Sequence, residues 1–162
     1  MSHNRPTAIP WPPLVTAAAI AAAFALQSAL PLPWLDGAGR VALMVPGVCL
    51  ICLAIAIDAV VFLRFRRAAT TILPNRGSTA LVTDGPFEKS RNPIYVGYVA
   101  LTLGVGLAFG NAWAVILAGL VGVGLQKLAI EPEERHLAAR FGAEYADYRA
   151  RVPRWVFGIG RG

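Results

Sequence analysis

Two groups of residues, far apart in the chain, carry the chemistry it could do. The first is Arg91-Asn92-Pro93-Ile94-Tyr95-Val96-Gly97. Proline is favoured at the first helical position, where its missing N–H is not needed. Pro93 therefore predicts a helix start, with Arg91 and Asn92 at its lip. Backbone N–H groups at such an end point outward and bind carboxylates and phosphates, and Arg91 adds a forked donor. Taken alone, the same corner also reads as a helix cap plus a topology charge. The second group is Glu131-Pro132-Glu133-Glu134, a helix opening with proline and acids where the helix dipole favours them. Behind it, Leu137, Phe141, Tyr145 and Tyr148 recur at steps of 4, 4 and 3, one apolar stripe. They predict an amphipathic helix over about 131–150, with Glu131→Arg135 and Asp147→Arg151 as i, i+4 pairs. Val152-Pro153-Arg154-Trp155 follows.

The elements that must position these residues are mostly apolar. The chain of 162 residues is 56% hydrophobic and only 15% charged, against roughly 25% charged for a soluble domain. Its apolar residues fall in long runs, which points to a single membrane domain. Four spans are predicted, about 14–30, 41–63, 94–109 and 112–130. The second and fourth meet the length a helix needs to cross the hydrocarbon, the first is borderline and the third is short. The first also has a signal-peptide look, but the Pro-rich leader and weak basic start favour a retained span. The fold class is thus all-α: a four-span membrane protein with a cytoplasmic loop over 64–93 and a cytoplasmic C-terminal helix.

Charge orients this stack. Fourteen of the fifteen Lys and Arg lie in the leading segment, the 64–93 loop, and Lys127 with the tail, while Arg40 alone lies opposite. Four spans put all three groups on one face, the cytoplasm by the positive-inside rule, with both termini there. The net charge of +6 is then a topology signal rather than a nucleic-acid footprint. Cys49-x-x-Cys52 lies inside an apolar run, and the histidines are His3 and His136. That set lacks the ligands of a zinc site and the context of a redox motif, so both cysteines read as small apolar spacers. The loop is punctuated at Pro74-Asn75, Arg76-Gly77 and Asp84-Gly85-Pro86, with a short β-prone piece from Thr79 to Thr83.

Gly110-Asn111 marks a turn between the third and fourth spans, and Gly106-x-x-x-Gly110 has the spacing of close helix packing in lipid. Asp58 and Lys127 are the charges within spans, at matching depths. Either they pair or line one polar cavity, or Lys127 snorkels to the surface. A four-span topology returns the chain to the face where the third span began. Arg91, Asn92 and Tyr95 can then meet Glu133 and Glu134 at one mouth.

From Leu81 to about Trp155 the order of these parts resembles the integral-membrane methyltransferases of the isoprenylcysteine carboxyl methyltransferase and phospholipid methyltransferase group. The resemblance implies an S-adenosylmethionine site built from Arg91, Asn92, Pro93, Tyr95, Gly97, Glu133, Glu134 and Tyr148, with Arg154 a weaker candidate. The residue types suit that cofactor. A donor meets its carboxylate, acceptors meet its ammonium and ribose hydroxyls, and aromatic faces tolerate its sulfonium. No βαβ unit with a Gly-x-Gly-x-x-Gly is visible, so a soluble Rossmann-type site is not expected. Asn92 stands where the eukaryotic carboxyl methyltransferases have histidine, and Asn cannot act as a base. Glu134, Arg154 and Asp58 remain the candidate catalytic residues. The implied reaction is in-line methyl transfer to a lipophilic acceptor drawn from the bilayer: an isoprenoid carboxylate, a phospholipid amine or a small thiol. Two rival readings are an NADPH-dependent membrane reductase related to sterol reductases and a non-enzymatic membrane scaffold. No metal is expected, a bacterial inner membrane is the expected location, and the oligomeric state stays open.

Overall fold

The computed structural model describes residues 11–67 and 81–160. Of the Pro-rich leader, Pro12 and Pro13 fall in the first turn of the first helix, while Pro6, Pro10, Arg5, Pro74-Asn75, Arg76-Gly77, Arg161 and Thr79-Ala80 of the β-prone piece lie outside the described residues. Among the described residues six α-helices run in chain order: α1 Trp11–Ala29, α2 Gly37–Arg67, α3 Pro93–Phe109, α4 Ala112–Leu125, α5 Glu131–Phe141 and α6 Ala143–Arg151. A 3₁₀ turn at Gly85–Glu88 precedes α3, and a π-helical turn at Gln126–Ile130 joins α4 to α5 without a break. No strand occurs among the described residues, and Leu81–Thr83 is irregular.

Among the described residues, three helical stretches are long and apolar enough to cross a membrane: Pro12–Ala29, Gly37–Arg66 and Ala112–Phe141. The apolar α3 is shorter, at 17 residues. The expected second span is the one most extended. α2 has 31 residues, about 46 Å at 1.5 Å per residue, whereas the hydrocarbon is about 30 Å thick. Its last turns, with Arg64 and Arg66, therefore reach past the apolar layer. Pro46 lies inside α2. It removes one backbone hydrogen bond, yet the helix continues through it.

α2 packs chiefly on α3, while α1 packs on α4 and less extensively on α3. The α2–α3 crossing is backbone against backbone. A Cβ on Gly47 would lie 2.5 Å from the Ala108 nitrogen, and one on Gly104 would lie 2.8 Å from the Gly47 carbonyl oxygen. The expected Gly106-x-x-x-Gly110 pair is not that contact. Gly106 backs onto Val115 and Asn111 inside the α3–α4 hairpin. Gly110 ends α3 in the left-handed region, at φ 68°, where glycine carries no Cβ penalty. Asn111 then starts α4. Its side chain accepts from the Ala114 N–H at 3.1 Å and donates to the Ala23 carbonyl at 3.2 Å, tying α1 to the hairpin. The Trp113 indole N–H adds a 2.8 Å bond to the Leu30 carbonyl.

A second core gathers at the other end of the bundle. Val61, Phe87, Tyr145, Tyr148 and Val152 are buried together, with Phe65, Leu137 and Phe141 packed against them. The predicted stripe is therefore one face of this core. The single helix expected over 131–150 is instead two, bent at Gly142, whose φ of 51° interrupts the helix. The expected surface pairs also differ. Glu131 reaches back to Lys127 rather than forward to Arg135, and the Arg151 Nε donates to the Asp147 carbonyl rather than to its carboxylate.

Candidate functional site

The start of α3, the start of α5 and the segment after α6 meet at this second core. Pro93 is the first residue of α3, and Asn92 precedes it without capping it by its side chain. The Asn92 amide instead donates to the Arg154 carbonyl at 3.1 Å. Ser90 Oγ donates to the same carbonyl at 3.0 Å and accepts from the Asn92 N–H at 3.0 Å. The Arg91 N–H completes the clasp at 2.9 Å from the Pro153 carbonyl. The Arg-Asn-Pro corner is thus held by the tail through hydrogen bonds spanning more than sixty positions.

The clasp aims Arg91 inward, where its side chain is 1% exposed. Its Nη2 lies 3.4 Å from Glu134 Oε1 and donates to the Gly160 carbonyl at 3.3 Å. Glu134 also takes Arg154 in a forked pair, with Nη2–Oε2 at 2.6 Å and Nε 3.2 Å from each oxygen. That planar match is the strong form of a guanidinium–carboxylate contact, and the carboxylate raises the Arg154 pKa above its ordinary value. The Tyr95 hydroxyl donates to Glu133 Oε2 at 2.9 Å. The two acids expected to meet Arg91 and Tyr95 therefore do so, one partner each.

Arg91 Nε, Arg91 Nη1 and the Tyr145 hydroxyl make no hydrogen bond of good geometry among the described residues, but they are neighbours: burial raises the Tyr145 hydroxyl pKa, and the Arg91 guanidinium beside it opposes that rise. Arg91 and Tyr145 line a cleft of about 50 Å³ with Asn92, Glu133, Glu134 and the Tyr148 ring. The Tyr148 hydroxyl itself is engaged elsewhere, donating to the Phe87 carbonyl at 2.8 Å. Burial, and secondarily the neighbouring Tyr145, pushes the Tyr148 hydroxyl pKa well above its usual range, so it stays a donor.

Two predicted residues are placed differently. Gly97 faces Asp58: a Cβ there would lie 3.2 Å from Asp58 Oδ1. Its lack of a side chain makes room for that carboxylate against α3. Asp58 does not pair with Lys127. Asp58 Oδ1 is buried without a hydrogen-bond partner among the described residues, while Lys127, with a side chain 64% exposed, pairs with Glu131 at 2.8 Å. One helical turn separates Lys127 from Glu131, and the exposed lysine gains a partner there without being drawn into the bundle. Among the described residues no group of three or more His, Cys, Asp or Glu is placed to hold a metal.

Several participants were missed in sequence. Ser90 carries a recognisable signal, because Ser two positions before an amide often accepts from it in a tight turn. The carbonyls of Pro153, Arg154 and Gly160 carry none, since every residue has one. Tyr145 was read as apolar stripe only.

A profile described as phospholipid methyltransferase matches residues 42–144, more than half of the chain. Over 73 residues the chain is 38% identical to Protein-S-isoprenylcysteine O-methyltransferase of Schizosaccharomyces pombe, covering 45% of this chain and 31% of that protein. Over 81 residues it is 31% identical to Cobalt-zinc-cadmium resistance protein CzcN of Cupriavidus metallidurans, covering 50% of this chain and 37% of that one. The matched stretch is thus about a third of each relative's length. No solved structure gives a significant match.

Proposed function

The chain belongs to the phospholipid methyltransferase family, and from that premise we propose that it is an integral membrane methyltransferase using S-adenosylmethionine to methylate a lipophilic acceptor. In this reading α1 to α4 all cross the bilayer, and the basic ends place the Arg91–Glu134 corner at the cytoplasmic side.

One observation carries the reading: a buried guanidinium, two of whose nitrogens make no hydrogen bond of good geometry among the described residues and have the Tyr145 hydroxyl as their neighbour. A buried charged donor left unmade costs more than a neutral one, which itself costs about 1–3 kcal/mol. The arrangement is therefore incomplete without an anionic or acceptor group, and a carboxylate fits the guanidinium fork. Within bonding reach of the same cleft, Glu133 and Glu134 supply acceptors for an ammonium and for ribose hydroxyls. The rings of Tyr95, Tyr145 and Tyr148 supply faces for a cation. S-adenosylmethionine, when bound, supplies a methyl group activated by its sulfonium.

The cleft of about 50 Å³ is far below the roughly 300 Å³ of a small ligand pocket. Binding must therefore displace part of its wall. The Arg154 side chain and Gly160 are the movable pieces in this reading, because each meets Arg91 or Glu134 from the segment after α6 and the Arg154 side chain is already 23% exposed, while the Arg154 carbonyl stays in the clasp. Asn92, fastened to the Arg154 carbonyl, holds the corner and moves no proton. A carboxylate acceptor needs no base, whereas an amine or thiol must lose a proton. Asp58, Glu133 and Glu134 are the carboxylates on hand for that step. Positioning supplies much of the acceleration, as proximity can be worth roughly 7–11 kcal/mol.

Titration of the purified protein with S-adenosylhomocysteine and with NADPH tests the proposal. Saturable S-adenosylhomocysteine binding is expected, weakened at least tenfold, about 1.4 kcal/mol, by Arg91→Ala. Binding of NADPH alone, or undiminished binding in both Arg91→Ala and Glu134→Ala, would overturn it.

A further inference from the structure

The segment after Arg154 folds into a compact turn. The Trp155 N–H donates to the Ile159 carbonyl at 3.1 Å and the Arg154 N–H to the Gly160 carbonyl at 3.4 Å. Its tip is Phe157, whose φ is 57° and which is 96% exposed. A bulky aromatic residue in the left-handed region is a backbone outlier, and strain of this kind persists where the surroundings enforce it. Here it turns the ring fully outward. Ile159, 60% exposed, stands beside it in the same turn. An apolar tip built against local backbone preference fits a surface that covers it.

The turn's attachment identifies that surface. The Trp155 indole N–H donates to the Gln126 side chain at 3.0 Å. Gln126 opens the π-helical turn where α4 ends. The turn therefore hangs at the level where the last apolar helix leaves the bundle. Leu120, Val123 and Leu128, along α4 and its π-helical end, are 61%, 64% and 74% exposed, an apolar surface running down to that attachment point. Exposed arginines at 135, 140 and 151 on α5 and α6 suit the anionic headgroups of a cytoplasmic leaflet.

We propose that the turn Trp155–Gly160 dips into the cytoplasmic leaflet, with Phe157 and Ile159 entering the boundary between headgroups and acyl chains. Tryptophan at the rim with apolar residues beyond it is the arrangement of interfacial anchors. The inference rests on α4 lying in the bilayer and is independent of the methyl-transfer reading.

Depth-dependent quenching tests it. In a Cys49→Ser, Cys52→Ser background, the full chain carries Phe157→Cys, Ile159→Cys, Leu120→Cys or Glu144→Cys, labelled with an environment-sensitive fluorophore. It is reconstituted in vesicles of phosphatidylcholine and phosphatidylglycerol. Lipids spin-labelled high on the acyl chain should quench positions 157 and 159 at least as strongly as position 120, which lies mid-way along the last apolar stretch and so deeper in the bilayer, and aqueous iodide should quench position 144 instead. Quenching of 157 and 159 by iodide as strong as that of 144 would overturn the proposal. So would quenching by neither agent, which would place the tip against this chain or a second copy. The 120 and 144 controls show that the protein is inserted and folded in every case.

Discussion

The α2–α3 crossing and the corner where α3 meets α5 are built of opposite materials. At the crossing, Gly47 and Gly104 bring two backbones into contact with no side chain between them. At the corner, Arg91, Glu134 and Arg154 meet through the tips of long side chains. In lipid there is little hydrophobic drive between apolar helices, so close backbone packing has to supply cohesion. At the bundle's end that constraint lifts, and charge can be concentrated. The crossing is complete as it stands. At the corner, two Arg91 donors make no hydrogen bond of good geometry among the described residues. The contrast separates a contact made of backbone alone from one made of charged side chains, which is the corner proposed above to take the ligand.

The largest effect should come from the crossing. Gly47→Leu would place a Cβ 2.5 Å from one backbone nitrogen and 2.9 Å from a backbone oxygen, with no flexible side chain to yield. Overpacking costs about 1–3 kcal/mol in ordinary cores, and this site should be at or above the top of that range. Expected outcomes are loss of the monodisperse peak in detergent and no ligand binding. A well-folded Gly47→Leu protein would show that the helices cross elsewhere.

Glu134→Ala should come next, and its signature should differ. Truncating one partner of a buried ion pair costs about 3–5 kcal/mol. Water compensates part of that loss at Arg154, 23% exposed, but not at Arg91, 1% exposed, so about 3 kcal/mol is expected. The protein should remain folded, with a lower melting temperature and S-adenosylhomocysteine affinity reduced by more than tenfold. Glu134→Gln, which keeps the shape and loses the charge, should fall between. If melting temperature drops while affinity does not, the corner is structural and the comparison fails.

A smaller effect is expected at the open side of the cleft. Tyr95→Phe removes the hydroxyl that donates to Glu133. Hydrogen bonds to charged groups are worth about 1.5–3 kcal/mol when buried, but Glu133 is exposed, so about 1 kcal/mol is expected. A Tyr95→Phe, Glu133→Gln double-mutant cycle read by S-adenosylhomocysteine affinity should show the two changes to be less than additive.

The two regions were unequally legible in the sequence. Apolar runs and basic flanks located α1 to α4 to within a few residues, because a long apolar run is itself the signal of a helix able to cross hydrocarbon. The stripe Leu137, Phe141, Tyr145 and Tyr148 showed which face is buried, since its spacing follows the helical repeat. The bend at Gly142 was missed because the stripe keeps its phase across it. The Gly47–Gly104 contact was missed for another reason. Many glycines stand in these helices, and spacing within one helix does not say which glycine faces which neighbour. At the site, the meeting of Arg91 with Glu134 followed from topology and motif order. The fastening of Asn92 by the Arg154 carbonyl did not, because backbone acceptors have no residue type.

Asp58 and Lys127 sharpen the comparison at its smallest scale, as two charges of matching depth that sequence alone could pair. The structure gives Lys127 to Glu131 and leaves Asp58 Oδ1 against Gly97. Exposed i, i+4 pairs contribute about 0.3–0.5 kcal/mol, so Lys127→Gln should shift the melting temperature only slightly, and less still in high salt. Asp58→Asn removes a charge that has no partner, and its effect on stability should be near zero or stabilising, whereas Glu134→Gln removes a charge that has two. With no shared partner, the Asp58→Asn, Lys127→Gln double variant should equal the sum of the singles within about 0.5 kcal/mol. A larger coupling would mean that the lysine reaches the aspartate in the bilayer, and that a second polar centre lies inside the bundle rather than at its end.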